Sequence, residues 1–399
     1  MKILLLANKF PYPAKDGGSI ATLNLGKSLA SLGHEVTVMA INTSKHFTDP
    51  DTVPQELKDS LRLTGIPVNT DINLIKLGLN FLFSSLPYNA ERFISKDYDA
   101  AIRKLLGREQ FDIIQLEGLY LAPYLGTVRS FSRAKVVMRA HNIEHEIWAR
   151  AAGLEKGIKR FYMKHLTARI RKMELNYLNR YDAVLPITSR DESELKKLGC
   201  NLPSLVVPMG INVHEMVPDH SGMEYPSVFH IGALDWIPNQ EGLSWFFENV
   251  WQKVIEHHPD VKFYLAGRNA PEYYQSLPYK NVVFLGEVDD AYDFMRSKAV
   301  MIVPVLSGSG MRIKIIEGMA LGKAIVTTSI GTEGIATTSG QNIFIADDPG
   351  EFASMVVRLL ENENFYLEIG ENARKFIADH FDNMAICKSL TTFYQNLCR

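Results

Sequence analysis

The chain has 399 residues, enough for two domains of ordinary size with separate cores. Its charges nearly cancel, 43 Lys and Arg against 45 Asp and Glu for a net charge of −2, which removes any bulk electrostatic case for a nucleic-acid partner or an anionic membrane. Cysteine is sparse and odd in number (Cys200, Cys387, Cys398) and has no metal-ligand spacing, which points to a reducing cytoplasm.

The first apolar run, Ile3 to Ala7, is too short for a secretory signal and reads as a buried strand over 2–7. No run approaches the roughly 18 apolar residues that a membrane span needs. A polar Pro/Gly loop leads to Gly17 and Gly18, a helix is predicted over 19–32, and a strand over 35–41 follows. That βαβ unit starts a doubly wound sheet, continued by strands 113–116, 135–139 and 183–187. Loop-rich sequence near 202–218 marks a boundary, and the scheme then restarts. Strand 227–231, helix 240–256 and strand 262–266 lead into strands 282–285, 300–305, 324–327 and 342–345. Two consecutive Rossmann-like units result, 1–205 and 206–380, with a last helix over 384–397. The cluster Lys156, Lys159, Arg160, Lys164, Arg169, Arg171 and Lys172 reads as a solvated helix face, because apolar residues are sparse around it. Peripheral contact with an anionic membrane is the other reading.

The densest motif is Ser307-Gly308-Ser309-Gly310-Met311-Arg312-Ile313-Lys314, followed by Glu317. Glycines between an apolar strand and an amphipathic helix put Arg312 and Lys314 at the helix start, where the macrodipole disfavours cations. A polyanion held by them and by the free backbone N–H groups resolves the conflict. Glu317 lies one turn deeper, placed for ribose hydroxyls. The bland reading is a surface Lys314–Glu317 pair. His141-Asn142-Ile143-Glu144-His145 fits the His-x-x-Glu-His pattern of zinc proteases. His141 directly follows a strand, however, so a histidine capping the strand end competes with zinc. Asp49-Pro50-Asp51 and Asp97-Tyr98-Asp99 match a metal–diphosphate motif but follow no apolar strand.

The run Gly310-x-Arg312-x-Lys314-x-x-Glu317-x-Met319-Ala320-x-Gly322-Lys323, followed by Ala324 to Thr328, resembles the donor-nucleotide segment of retaining glycosyltransferases of family 4. Gly33-His34-Glu35-Val36, Arg139-Ala140-His141-Asn142, Val207 to Asn212, Ala266-Gly267-Arg268 and Gly331 to Ile335 extend the likeness over nearly the whole chain. The resemblance implies the α/β GT-B fold: two Rossmann-like domains facing across a cleft, with the helix in 381–399 crossing back onto the first. It implies donor nucleotide-sugar binding by Gly17, Gly18, Gly232, Asn239, Arg268, Ser309, Gly310, Met311 and Glu317. It gives Arg312 and Lys314 the leaving diphosphate, His141 the donor sugar, and the region of Tyr88 and Arg92 the acceptor. The sequence departs from the family twice. No Arg/Lys pair follows Gly232, and Ser309 stands where the first of two glutamates is usual.

The expected function is metal-independent transfer of a hexose, with retention, from a nucleotide-sugar to a glycan or lipid-linked acceptor, as in cell-surface polysaccharide synthesis. No cofactor beyond the nucleotide-sugar co-substrate is expected. The expected location is the cytoplasm, with peripheral contact at the inner face of the membrane. A non-catalytic nucleotide- or glycan-binding subunit and a nucleotide-sugar 2-epimerase are the alternatives, with the zinc hydrolase a distant further one.

Overall fold

The computed structural model describes residues 1–14, 17–308 and 310–399, the Leu154 side chain excepted. These fall into two compact units, Met1–Gly210 with Ile386–Arg399, and Ile211–Ala385. The chain changes unit at 210 and 385, against 205 and 380 in the sequence reading. Hydrogen bonding explains both shifts. Leu205 and Val207 donate to the Val184 and Pro186 carbonyls and extend the edge of the first sheet, while Ile211 and Phe381–Asn383 bond each other within the second unit.

The first unit has six strands: β1 (Lys2–Ala7), β2 (Glu35–Thr43), β3 (Arg62–Val68), β4 (Ile113–Glu117), β5 (Lys135–Ala140) and β6 (Ala183–Pro186). They lie in the order β3-β2-β1-β4-β5-β6, and every pairing is parallel. Successive β1 side chains enter opposite layers, Leu4 and Leu6 on one face, Ile3 and Leu5 on the other. Both faces are therefore covered, as parallel sheets require. The last helix, Asn383–Cys398, supplies part of one cover, burying Cys387, Leu390 and Tyr394 with Ile3 and Leu5.

The second unit repeats the plan with β7 (Glu224–Ile231), β8 (Lys262–Ala266), β9 (Val282–Gly286), β10 (Lys298–Val303), β11 (Ile325–Thr327) and β12 (Phe344–Ile345). The order is β12-β11-β10-β7-β8-β9, again parallel throughout. Val300 and Ile302 point to one layer and Met301 and Val303 to the other. Each sheet reverses its order beside its first strand, β1 or β7, and the strand ends there are where ligands of open α/β sheets bind.

Candidate active site

In the second unit, β10 ends at Val303 and the chain turns into the helix Ile313–Ala320. Gly308 and Gly310 take φ values of 100° and 87°, in the region where a side chain is strained. That tight turn brings Arg312 to the helix cap, where it is 5 % exposed. Its guanidinium donates to the Gly310 carbonyl and lies 5.5 Å from the Trp236 ring centre. The Lys314 ammonium donates to Asn239 Oδ1 at 3.0 Å and reaches His230 Nε2 at 3.3 Å.

Both partners of Lys314 are neutral. His230 Nδ1 sits 3.0 Å from the Ile302 carbonyl, which can only accept, so Nδ1 carries the proton and Nε2 offers its lone pair. Burial, reinforced by Lys314, holds the His230 pKa well below its ordinary value. Asn239 donates from Nδ2 to the Ala233 carbonyl at 2.8 Å, which turns its oxygen toward the lysine. Burial, and then the Arg312 charge, push the Lys314 pKa down to about 7, with Glu317 pulling the other way. Gly232 leaves room for the ammonium: a Cβ there would lie 2.7 Å from Lys314 Nζ and displace it. Glu317 accepts from the Tyr292 hydroxyl at 3.0 Å, and burial raises its pKa against that bond and against Lys314. The helix carries no acid in its first turn. Two cations and the backbone N–H groups of a helix start thus converge on one turn, with a carboxylate behind them.

In the first unit, the ends of β4 and β5 place Glu117 opposite Arg139, and His141 follows directly. Glu117 is buried. It accepts from His141 Nε2 at 2.7 Å and from Thr22 Oγ1 at 3.3 Å, and its carboxylate lies 3.6 Å from Arg139 Nη1. Burial alone would raise its pKa, but Arg139, His141 and Gln115 outweigh burial and hold it at about 2. The network continues inward, since Tyr394 donates to Gln115 and Gln115 donates to Glu117. The last helix is thereby hydrogen-bonded, through the Gln115 side chain of β4, to the carboxylate that orients His141. With Nε2 donating to an ionised carboxylate, His141 keeps Nδ1 as its second nitrogen.

The comparisons with known proteins agree with this geometry. The family model described as Glycosyltransferase Family 4 matches residues 15–215, just over half of the chain, and that described as Glycosyl transferases group 1 matches residues 225–362. The chain belongs to glycosyltransferase family 4. An uncharacterized 44.6 kDa protein in the cps region of Klebsiella pneumoniae is 25 % identical over 98 % of each chain. The phosphatidyl-myo-inositol mannosyltransferase of Mycolicibacterium smegmatis is 23 % identical over 88 % of this chain and 84 % of its own. Among solved structures, Anabaena HepE in complex with UDP superposes with a TM-score of 0.67 at 16 % identity, over 99 % of this chain and all of that one. As in other GT-B glycosyltransferases, the fold is two α/β units, each built on a parallel sheet.

Within this family-4 chain, the structure brings together Gly232, Asn239, Gly310, Arg312 and Lys314. Asn239 is buried with both ends of its amide engaged, so it positions Lys314. Arg268 follows β8 with an exposed side chain, its carbonyl accepting from the Leu234 N–H at 2.9 Å. Met311 packs partly against the core below the turn. Ser309, expected at the donor, lies outside the described residues. Gly17 and Gly18 do not sit in a loop as expected: the helix Gly17–Ser31 starts at the pair, two residues earlier than periodicity suggested. Thr22 on that helix holds Glu117, which fixes the helix start relative to His141.

His141 and His145 part company. His145 belongs to the helix Glu144–Leu154 and bonds Glu174 at 2.5 Å, whereas His141 bonds Glu117. Among the described residues no group of three His, Cys, Asp or Glu is arranged to hold a metal ion. Asp49 caps a short 3-10 turn, and Asp99 pairs with Arg103 on a helix surface. Tyr88 is buried with its hydroxyl bonded to the Asn73 backbone at 3.0 Å. With Arg92 it lines a cavity of about 760 Å³ bounded by Asp71, Lys76 and Glu91. Sequence reasoning missed His230, Tyr292, Gln115 and Glu117. The available signal was a polar residue inside an apolar strand, at Phe229-His230-Ile231 and at Ile114-Gln115-Leu116-Glu117.

Proposed function

We propose that this glycosyltransferase moves a hexose from a nucleoside-diphosphate sugar to a glycan or lipid-linked acceptor, with retention and without a metal. Polysaccharide synthesis at the inner face of the cytoplasmic membrane is the setting, and the relative from the cps region of Klebsiella pneumoniae supports it. The observation that carries the reading is Lys314, a partly buried ammonium whose two hydrogen-bonding partners are neutral, beside Arg312 at a glycine turn. A diphosphate supplies the missing negative charge. HepE, of the same fold, was solved with UDP, which makes a uridine nucleotide the first donor to try.

In the transfer, the acceptor hydroxyl oxygen bonds to the anomeric carbon as the bond from that carbon to the diphosphate oxygen breaks. The electron pair leaves with the diphosphate, which takes the acceptor's proton on the same face. Arg312 and Lys314 stabilise the charge that develops on the leaving group, and Glu317, oriented by Tyr292, holds the ribose hydroxyls. His141, fixed by Glu117, is assigned to the sugar.

Thermal denaturation of the full chain with UDP, GDP and their sugars tests the donor. A nucleotide bound at a hundred times its dissociation constant should stabilise by about 2.7 kcal/mol. The anomeric configuration of the product, read by NMR, tests retention, and an inverted anomer would contradict it. Activity should survive EDTA, because cationic side chains act where a metal would. Inactivation by EDTA that is reversed by manganese or magnesium would overturn that part.

A further inference from the structure

The helix Leu74–Phe83 in the first unit is amphipathic the wrong way round. Its sequence is LIKLGLNFLF, and Leu74, Ile75, Leu82 and Phe83 are each more than two-thirds exposed. Of its two polar residues, Lys76 is exposed but Asn80 faces inward. Asn80 is buried, donates to Glu91 at 2.7 Å and to the Leu86 carbonyl at 3.0 Å, and accepts from Arg169 at 3.1 Å. Arg169 also donates to the Asn80 and Phe81 carbonyls at 2.9 and 2.8 Å, which fastens the helix C-terminus to the helix Gly157–Tyr177. Phe81 turns inward as well and meets the His165 ring at 4.7 Å. The helix is therefore anchored by polar contacts and presents its apolar stripe outward, at positions 74, 75, 79, 82 and 83. A soluble surface helix has the opposite arrangement.

The neighbouring helix adds to the same patch. Tyr162 and His165 contact Phe81, and one turn before them Ile158 is 88 % exposed, with Phe161 also exposed. Basic residues are concentrated beside them. Residues 156–172 hold seven Lys and Arg and no Asp or Glu, in a chain whose net charge is −2. Lys156, Arg160 and Lys164 are exposed, while Lys159 pairs with Glu155 at 2.6 Å. Exposed Leu, Ile and Phe edged by cations match an anionic lipid surface, where the apolar side chains enter the acyl boundary and the ammonium groups meet phosphate. The sequence alone hides this, because the apolar half of the patch lies some 80 residues before the basic half.

We infer that the helix Leu74–Phe83 and the start of the helix Gly157–Tyr177 form a docking surface for an anionic phospholipid bilayer. The cavity lined by Tyr88 and Arg92 shares Lys76 and Leu79 with this helix, so a docked chain holds that cavity beside the lipid headgroups. A lipid-linked acceptor would then meet the enzyme at the membrane surface, and in this the inference rests on the functional reading above. Among the described residues no helix is long and apolar enough to cross a membrane.

Sedimentation of the full chain with phosphatidylcholine vesicles, with and without phosphatidylglycerol, tests the surface. The chain should pellet with anionic vesicles at low salt, weakly with neutral ones, and be released by high salt. Leu82→Ser/Phe83→Ser and Lys156→Glu/Arg160→Glu should each lower anionic-vesicle affinity by roughly tenfold or more, with UDP binding unchanged. No binding to anionic vesicles, or binding that neither double variant weakens, would overturn the inference. So would a dimer in light scattering that Leu82→Ser/Phe83→Ser dissolves while vesicle binding is absent, since the face then belongs to a second copy. UDP binding without vesicle binding defeats only the docking surface; vesicle binding without nucleotide binding defeats only the donor reading.

Discussion

The two sheets end in two charged clusters that handle charge in opposite ways. In the first unit Glu117 is buried against Arg139 and His141, and the charges balance inside the protein. In the second unit Lys314 is held by His230 and Asn239, neither of which carries charge, with a second cation as its neighbour. A balanced cluster stabilises the fold and fixes a side chain in place. A cluster with surplus positive charge is set to take an anion from outside. On the proposed function, the first cluster suits positioning and the second suits the leaving group.

The largest effect should come from breaking the balanced cluster. Glu117→Ala leaves Arg139 buried without its carboxylate and should cost about 3–5 kcal/mol in urea unfolding. Glu117 also dictates a pH dependence. Its pKa falls from 4.5 in the unfolded chain to about 2 on folding, so its stabilisation is complete above about pH 4.5 and is lost as pH falls toward 2. Glu117→Gln should flatten the unfolding profile across that window. A stability as pH-dependent as before would show that the carboxylate is not the group being titrated.

Changes in the unbalanced cluster should affect binding rather than folding. Arg312→Ala should weaken UDP by about 1.5–3 kcal/mol, the value of a charge-assisted hydrogen bond, with little change in melting temperature. An equal loss of stability would mean that Arg312 is structural, like Arg139. The smallest change is Tyr292→Phe, which frees Glu317 from one hydrogen bond. It should weaken nucleoside diphosphates by about 0.5–1.5 kcal/mol and leave inorganic pyrophosphate unaffected. Weakening of both ligands alike would move Glu317 from the ribose to the phosphates.

The sequence made the parallel strands legible where they are buried on both faces, because continuous apolar runs as short as Ile3 to Leu6 and Val300 to Val303 suit a buried strand better than a helix. It hid β3, Arg62-Leu63-Thr64-Gly65-Ile66-Pro67-Val68, an edge strand whose Gly and Pro look like a loop. The helix Ile237–Phe246 begins earlier than expected because Pro238 sits in its first turn, where its missing N–H costs nothing. In the site, Arg312, Lys314 and Glu317 could be found because they share one helix start. Their partners His230, Asn239 and Tyr292 come from three other segments, and only the folded chain brings them to the lysine and the carboxylate. Glu117 was obscured for a related reason: its meaning depends on Arg139 from the next strand and Tyr394 from the last helix.

Calorimetric titration of UDP into the full chain and into Lys314→Met, in buffers of different ionisation enthalpy, tests the central claim most directly. Lys314 drops from a pKa of 10.5 in the unfolded chain to about 7 when folded without ligand, and a bound diphosphate favours its charged form. The folded chain therefore gives up a proton that the unfolded chain keeps between pH 7 and 10.5, so stability rises with pH across that window. Burial sends Lys323 to about 7 as well, which is why binding and not stability isolates Lys314. The account predicts that the wild-type chain takes up a proton on binding UDP above pH 7 and binds it more weakly as pH rises. Lys314→Met should bind about tenfold or more weakly, take up no proton, and be as stable as the wild type or more so. Equal affinity and equal proton uptake in the two proteins would contradict it.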